Sequence, residues 1–392
     1  MKRLIYVTTV AQSMAFFKGQ LKYLSDYYDI TFVSSNEDNP WELQERAESY
    51  GVPYYELPMA RGISLKEYEE TYPYRYGIKK AQVQTTYFKK VKPDAVHGNT
   101  PKGALLSMVA AKLTGVNTRI YMCHGLRYQG CTGLKRKILI AMEKITTKCA
   151  THILCVSEGV RDTLNADGIC SKKKTCVIGC GSCNGIDISQ FNPEIYSDEQ
   201  KLELRTKYGI TSDEFVFISM GRVVKDKGVN EMIRAFVRYR KDNPKVRLMM
   251  LGSFEDALNP VDADVASIIK GNQEGVVYCG KQNDVKPFLA VSQCLLFPSY
   301  REGFGLVLME AGAMGLPVIS SDIIGCNNVV TKENGLLVPP RDVESLYQAM
   351  KTMVTDKKLY HYFSVSTRQS IIDRFEQKKL WKKFLDFYQT II

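Results

Sequence analysis

Two stretches of the chain carry residue types at spacings that suit the handling of a sugar and a polyanion. The first is EGFGLVLME, residues 302–310, in which Glu302 and Glu310 bracket Gly303 and Gly305. The run before it, CLLFPS from Cys294, is apolar and bounded by polar residues, as an interior strand is. The run after Gly305 has helical composition and stops at Gly315. Glu302 therefore falls in a loop, the glycines at a helix start, and Glu310 about one turn inside the helix. Glycines at that place let a ligand approach free backbone N–H groups, which suits a phosphate. Carboxylates nearby accept hydrogen bonds from the hydroxyls of a sugar and a ribose. The second stretch is GRVVKDKG, residues 221–228, between the strand FVFISM and the helix VNEMIRAF. Arg222 and Lys227 project from that loop and can hold a pyrophosphate, one as a fork and the other as a point charge. Taken singly, each stretch also reads as plain structure: a strand–Gly–helix junction and a solvated charged loop. Together they lie at C-terminal strand ends of one sheet, on one edge.

A third candidate is His124 in YMCHGLRYQG, directly after a strand in the first half of the chain. A lone histidine is more often structural, but a strand-end histidine followed by glycine and facing a cleft is also placed to meet a ligand. His97 also ends a strand, while His152 and His361 fit structural roles.

The elements that position these residues are legible in the alternation of short apolar runs with helical stretches. Strands are expected at LIYVTTV (from Leu4), ITFVSS (Ile30), DAVHG (Asp94), RIYMCHG (Arg119), HILCVS (His152) and TCVIG (Thr175). A second series follows at FVFISMG (Phe215), VRLMMLG (Val246), VVYCG (Val276), CLLFPS and LPVIS (Leu316). Continuously apolar, β-branched strands between helices argue for parallel sheets covered on both faces. The pattern restarts after a polar stretch at residues 185–193, where an interdomain linker is expected. At 392 residues two domains are the default. The expected fold is α/β, with two doubly wound Rossmann-like domains facing across a cleft: 1–188, then 194–373. The amphipathic, aromatic-rich tail 374–392 is expected to pack back on the first domain, with packing on its own domain as the alternative.

Composition is that of an ordinary globular protein, 45% hydrophobic and 24% charged. Eleven cysteines are spread thinly and many sit in apolar runs, which fits a reducing cytoplasm with free thiols. MKRLIYVTTVAQS lacks the long apolar core of a signal peptide, and no apolar run approaches a membrane span. The net charge of +11 favours an anionic partner without choosing among nucleotide, nucleic acid and membrane surface.

The ordered motifs GRxxxxKG, EGFGLVLME and GLPVISSD resemble the donor-binding half of glycosyltransferase family 4, retaining nucleotide-sugar enzymes of the GT-B fold. HGNTPKG, CHGLRYQG, CVSEGVRD and GSCNGIDISQF resemble family members that build bacterial capsule, O-antigen and exopolysaccharide. The resemblance covers nearly the whole chain, and it implies the following roles. The first domain takes the acceptor and the second the donor, a UDP-sugar. Arg222 and Lys227 bind the diphosphate and stabilise the leaving group. Glu310 holds the ribose, and Glu302 contacts the donor sugar. Gly303, Phe304, Gly305 and Leu306 offer backbone groups, and His124 reaches the sugar from the opposite domain. No cofactor or metal is implied. The acceptor implied is a saccharide carried on undecaprenyl diphosphate. In one respect the chain departs from the family: many members carry Gly-Gly after the first strand, whereas here the loop reads TTVAQSMAFFKGQL, with only the small residues Ala11, Ser13 and Ala15. The segment 325–328, Gly-Cys-Asn-Asn, is placed near the donor by the resemblance alone.

Several other readings bear on these residues. Paired carboxylates also serve glycoside hydrolysis, but Glu302 and Glu310 share one loop–helix unit instead of facing each other across a bond. A nucleotide-sugar epimerase of the same shape is the nearest rival, and a basic nucleic-acid-binding protein a rival of another class. Against the latter, aromatics are not interleaved with the basic runs and no nucleic-acid module is present. Cys176, Cys180 and Cys183 have a zinc-like proximity but no convincing fourth ligand. Asp262-Ala-Asp264 has metal-motif spacing in a polar loop and reads as solvated. Finally, GLKRKILIAMEKITTK places Lys135, Arg136 and Lys137 beside an apolar stripe of Leu134, Ile138, Ala141, Met142 and Ile145. That helix either packs its stripe into the first domain or lies on an anionic membrane at the cytoplasmic leaflet, bordering the acceptor entrance.

Overall fold

The computed structural model describes residues 1–36, 41–57, 59, 76–255, 257 and 259–392, without the side chains of 76–82. The first sheet contains β1 (Arg3–Val7), β2 (Asp29–Ser34), β3 (Tyr54–Glu56), β4 (Ala95–Asn99), β5 (Thr118–Cys123), β6 (His152–Cys155) and β7 (Thr175–Cys176). Their order is β3-β2-β1-β4-β5-β6-β7, all parallel. The second sheet contains β8 (Phe215–Met220), β9 (Val246–Leu251), β10 (Val276–Gly280), β11 (Cys294–Phe297), β12 (Val318–Ser321) and β13 (Gly335–Val338). It too is parallel, in the order β10-β9-β8-β11-β12-β13. Leu4, Ile5, Tyr6 and Val7 of β1 are all buried, so both faces of the strand are covered, as the uninterrupted apolar run requires. In the second unit one face of the sheet packs on Met232, Ile233 and Phe236 and the other on Leu308, Met309 and Ile371.

In each sheet the winding reverses beside the first strand, between β1 and β4 and again between β8 and β11. Crossovers leave such a pair in opposite directions, so the loops at its C-terminal ends open a crevice where ligands of this architecture bind.

β3 and β13 were not expected. Both are short edge strands; β3 is exposed throughout, and β13 begins at Gly335, where a Cβ would lie 2.1 Å from the Val318 carbonyl oxygen.

The chain divides into Met1–Gly185 with Lys378–Ile392, and Ile186–Gln377. This differs from the expected borders at 188, 194 and 374. Ile186 is buried in the second core, with Ile188 and Phe191 packed against it, so residues 186–193 belong to the second unit despite their polar composition. Phe375 is buried in the same core, and Arg374 donates to the Val329 carbonyl at 3.0 Å. The tail therefore joins the first unit from Lys378.

There the helix Gln377–Ile391 buries Leu380, Trp381, Phe384, Leu385 and Tyr388, one stripe of its surface. Each such burial contributes about 1.5–3 kcal/mol. Tyr388 Oη meets Tyr6 Oη at 2.6 Å and His97 Nδ1 at 3.1 Å. Gly19, at φ +79°, is needed for close approach: a Cβ there would lie 2.6 Å from the Trp381 ring.

The helix Gly133–Cys149 corrects one reading outright. The side chains it buries are Leu139, Glu143, Thr146, Thr147 and Cys149. Leu134, Ile138, Ala141 and Ile145 face solvent, so the apolar stripe does not pack into the first unit. A neighbouring tyrosine explains the inversion: Tyr121 Oη donates to Glu143 Oε2 at 2.9 Å and so satisfies the buried carboxyl.

Candidate functional site

The β8/β11 edge brings together the two stretches that the sequence singles out. In the loop after β8, Val223 and Val224 are buried and anchor the backbone, while Arg222 and Lys227 project on either side. The loop closes at Gly228, whose φ is +69°. A Cβ there would lie 2.0 Å from the Pro298 carbonyl oxygen, so only glycine lets this loop pack on the one after β11. Two further bonds hold the loops together: Tyr300 N–H donates to Asp226 O at 2.9 Å, and Ser299 Oγ donates to the same oxygen at 3.3 Å.

Lys227 consequently forms an ion pair with Glu302, both side chains being largely buried. Its ammonium also lies 5.3 Å from the Phe297 ring centroid. Arg222 Nη1 pairs with Glu255 Oε2 at 2.8 Å. Lys225 pairs with Asp262 at 2.9 Å, and Arg234 holds the same carboxylate at 2.6 Å. The Asp262-Ala-Asp264 motif is thus ion-paired.

At the helix Leu306–Ala313, the backbone N–H groups of Gly305 and Leu306, both expected to face a ligand, are already engaged. Gly305 N–H donates to Gly325 O at 3.2 Å, and Leu306 N–H to Phe304 O at 3.0 Å. The Phe304 ring packs edge-on to Phe375 at 5.7 Å and anchors the loop in the core. Gly325 sits at φ +84° because a Cβ would lie 2.7 Å from the Gly303 carbonyl group. Residues 325–328 therefore brace the glutamate loop from behind. Glu310 keeps some access to solvent. The protein mass around it pushes its carboxyl up to about 7, with Lys286 pulling the other way.

In the first unit the edge is of another kind. His124 stacks on Phe16, with centroids 5.1 Å apart, and its Nε2 meets Asn99 Oδ1 at 3.2 Å. Asn99 is fully buried and donates Nδ2–H to His97 O at 3.1 Å, so its oxygen faces the imidazole. The proton of a neutral His124 therefore sits on Nε2, and Nδ1 keeps its lone pair. Burial lowers His124 to about 4, and it lowers His97 to about 3 with His124 contributing.

Sequence reasoning singled out neither Asn99 nor Phe16 as a site residue, although Asn99 lies in HGNTPKG; its strand-end position, one strand from His124, was the available signal. The loop after β1 needs no glycine pair. Its residues 11–17 wind as a 3-10 helix with Met14 and Phe17 buried. Close approach is supplied instead by Gly103, where a Cβ would lie 2.9 Å from the Thr9 nitrogen. Thr100 at φ +62° bonds Thr9 there through both hydroxyls at 2.7 Å.

Of the clustered cysteines, Cys183 is buried with its Sγ 3.7 Å from Phe16 O, and Cys180 is exposed. Among the described residues no three His, Cys, Asp or Glu side chains gather to hold a metal, and no helix is long and apolar enough to cross a membrane.

The model of glycosyl transferases group 1 matches residues 200–370, and that of glycosyltransferase family 4 matches residues 22–189. The chain is a glycosyltransferase, with a family 4 domain followed by a group 1 domain. This glycosyltransferase is 29% identical over 393 residues to the capsular polysaccharide biosynthesis glycosyltransferase CapM of Staphylococcus aureus. The match covers 100% of this chain and 98% of that protein. It is 27% identical over 315 residues to the UDP-Gal:alpha-D-GlcNAc-diphosphoundecaprenol alpha-1,3-galactosyltransferase of Escherichia coli, covering 78% of this chain and 77% of that one. The enzyme's fold is GT-B. It superposes with a TM-score of 0.80 on Anabaena Alr3699/HepE, whose structure contains UDP, at 16% identity and over 100% of both chains.

Proposed function

We propose that the enzyme transfers a sugar from a UDP-sugar, with retention of anomeric configuration, to a saccharide carried on undecaprenyl diphosphate. This step would serve the assembly of a bacterial capsule or another surface polysaccharide at the cytoplasmic face of the membrane. The second unit binds the donor and the first the acceptor. The observation that carries the reading is the meeting of Lys227 and Glu302 at the β8/β11 crevice, with Arg222 on the same loop as Lys227. A cation already desolvated and oriented there suits a departing diphosphate, where negative charge grows in the transition state. The name of the Escherichia coli relative supplies the acceptor class, and that of the Staphylococcus aureus relative the capsule.

In the proposed step the acceptor hydroxyl attacks the anomeric carbon on the face that the diphosphate leaves. The carbon–phosphate-oxygen bond breaks, the new glycosidic bond forms, and the hydroxyl proton passes to the departing β-phosphate oxygen. Lys227 and Arg222 take up the diphosphate charge, which a metal would otherwise neutralise, so no metal is required. Glu302 exchanges Lys227 for a sugar hydroxyl. Glu310 accepts from the ribose hydroxyls. His124, a neutral imidazole, bonds the donor sugar near its reacting carbon, a role that rests on the family resemblance.

The test is incubation with radiolabelled UDP-sugars and a detergent-dispersed undecaprenyl-diphosphate saccharide, with and without EDTA. The expected result is α-linked product from an α-linked donor, UDP release that needs the acceptor, and insensitivity to EDTA. Isomerised sugar nucleotide formed without acceptor would show an epimerase instead. Salt-sensitive binding of random oligonucleotides with no response to any sugar nucleotide would show a nucleic-acid binder.

A further inference from the structure

We infer that the solvent face of the helix Gly133–Cys149 docks in the plane of an anionic lipid bilayer. Its purpose rests on the proposed lipid-borne acceptor; its geometry does not.

The helix is inside out for a water-facing element. Its buried side carries Glu143, Thr146 and Thr147 beside Leu139 and Cys149, while Leu134 is 73% exposed, Ile138 47% and Ile145 49%. A surface helix ordinarily does the reverse, because apolar area in water is unfavourable. The three apolar residues align along one stripe at helical spacing. Lys137, Lys144 and Lys148 run along one flank of that stripe and Lys135 lies on the other, all exposed. None of these lysines forms an ion pair among the described residues, and the helix's one carboxylate, Glu143, is buried against Tyr121. An apolar seam bordered by unpaired ammonium groups is the arrangement that sinks to the headgroup boundary, with lysine stems along the acyl region and charges on lipid phosphates.

Charge also decides against a second copy of the chain on this face. A symmetric contact would press the same cations together, whereas an anionic leaflet complements every one of them. The helix follows His124 through the short turn Arg127–Gly130, so docking would hold the acceptor unit where a lipid-linked saccharide emerges.

The test is sedimentation of the full chain with vesicles of phosphatidylcholine alone or in equal mixture with phosphatidylglycerol, at low and high salt. Binding to the anionic vesicles only, weakened by salt, is expected. The triple substitution K135A/R136A/K137A should weaken it on the order of 100-fold. L134S/I138S/I145S should also abolish sedimentation while keeping the thermal midpoint and transfer to detergent-dispersed acceptor. Equal recovery with neutral and anionic vesicles overturns the proposal, as does wild-type binding by both variants. So does a concentration-dependent dimer that I138S dissolves. Failure of the unsubstituted chain to bind either kind of vesicle, with transfer intact, sinks only the docking; vesicle binding with no transfer to any acceptor sinks only the proposed function.

Discussion

At the β8/β11 edge every candidate cation has a carboxylate beside it: Lys227 with Glu302, Arg222 with Glu255, Lys225 with Asp262. The edge that carries His124 surrounds the imidazole with aromatic and amide groups. Its histidines are held neutral by burial, its hydrogen bonds run through Asn99, and its walls are Phe16 and Phe17. The two edges grow from the same topology, so the difference lies in the side chains. Paired ions keep long cationic side chains ordered and expensive to bury alone, and an incoming diphosphate can replace the carboxylate with little rearrangement. A neutral imidazole offers direction without charge, which suits hydroxyl groups. The first edge is built for exchange of ionic partners and the second for orientation.

The sharpest way to break this contrast is Lys227→Ala. It should lower kcat about 10³-fold, because growing charge on the leaving group loses a preorganised cation. Initial rates of labelled-sugar transfer check it, and wild-type turnover would remove Lys227 from the diphosphate. His124→Ala should lower kcat/KM about 10²-fold, at the low end for a polar group beside a reacting centre. UDP affinity measured by calorimetry should stay unchanged, since the contrast assigns His124 to the sugar and not to the phosphates. A parallel loss of UDP binding would blur the two edges.

Glu310→Gln addresses a pH dependence. In its proposed role Glu310 would accept ribose hydroxyls best when ionised, and burial holds its carboxyl at about 7. Wild-type kcat/KM for the donor should therefore fall as pH drops below about 7, because that ratio reports the free enzyme. The variant should show roughly 10-fold weaker kcat/KM at high pH and a flat profile through that range. The smallest expected effect belongs to Asn99→Asp. A carboxylate facing Nε2 stabilises imidazolium and raises His124 from about 4. Read in the Glu310→Gln background, whose profile is flat near 7, the acid limb set by His124 should move upward by roughly one to two pH units with modest loss at alkaline pH. An unmoved limb would leave Asn99 with a packing role only.

Much of this was legible in the sequence because parallel strands buried on both faces leave uninterrupted apolar runs, and motif residues then fall at their ends. The partners were not legible. Glu302 and Lys227 lie in separate motifs, and only the adjacency of β8 and β11 brings them together. Edge strands β3 and β13 are too short, and too exposed in the case of β3, to leave a periodic signal. Ile186, Ile188 and Phe191 were hidden by the polar residues between them, so a packed segment resembled a linker. Periodicity left two faces open for the apolar stripe of the helix Gly133–Cys149, and the contact that accompanies the outward one, a tyrosine satisfying a buried glutamate, is not contained in it.

The last helix has a consequence for how the molecule is made. The sheet β1 to β7 leaves the ribosome early, yet Tyr388, which bonds both Tyr6 and His97, is translated after the whole of Ile186–Gln377. Domains usually fold as they emerge, N-terminal first. Here the first to be synthesised is the last to be sealed. A nascent chain carries an open seam beside Tyr6, Tyr23 and Tyr28 until residues 378–392 appear, so translation that stops short of residue 378 yields a finished second unit attached to an unsealed first one.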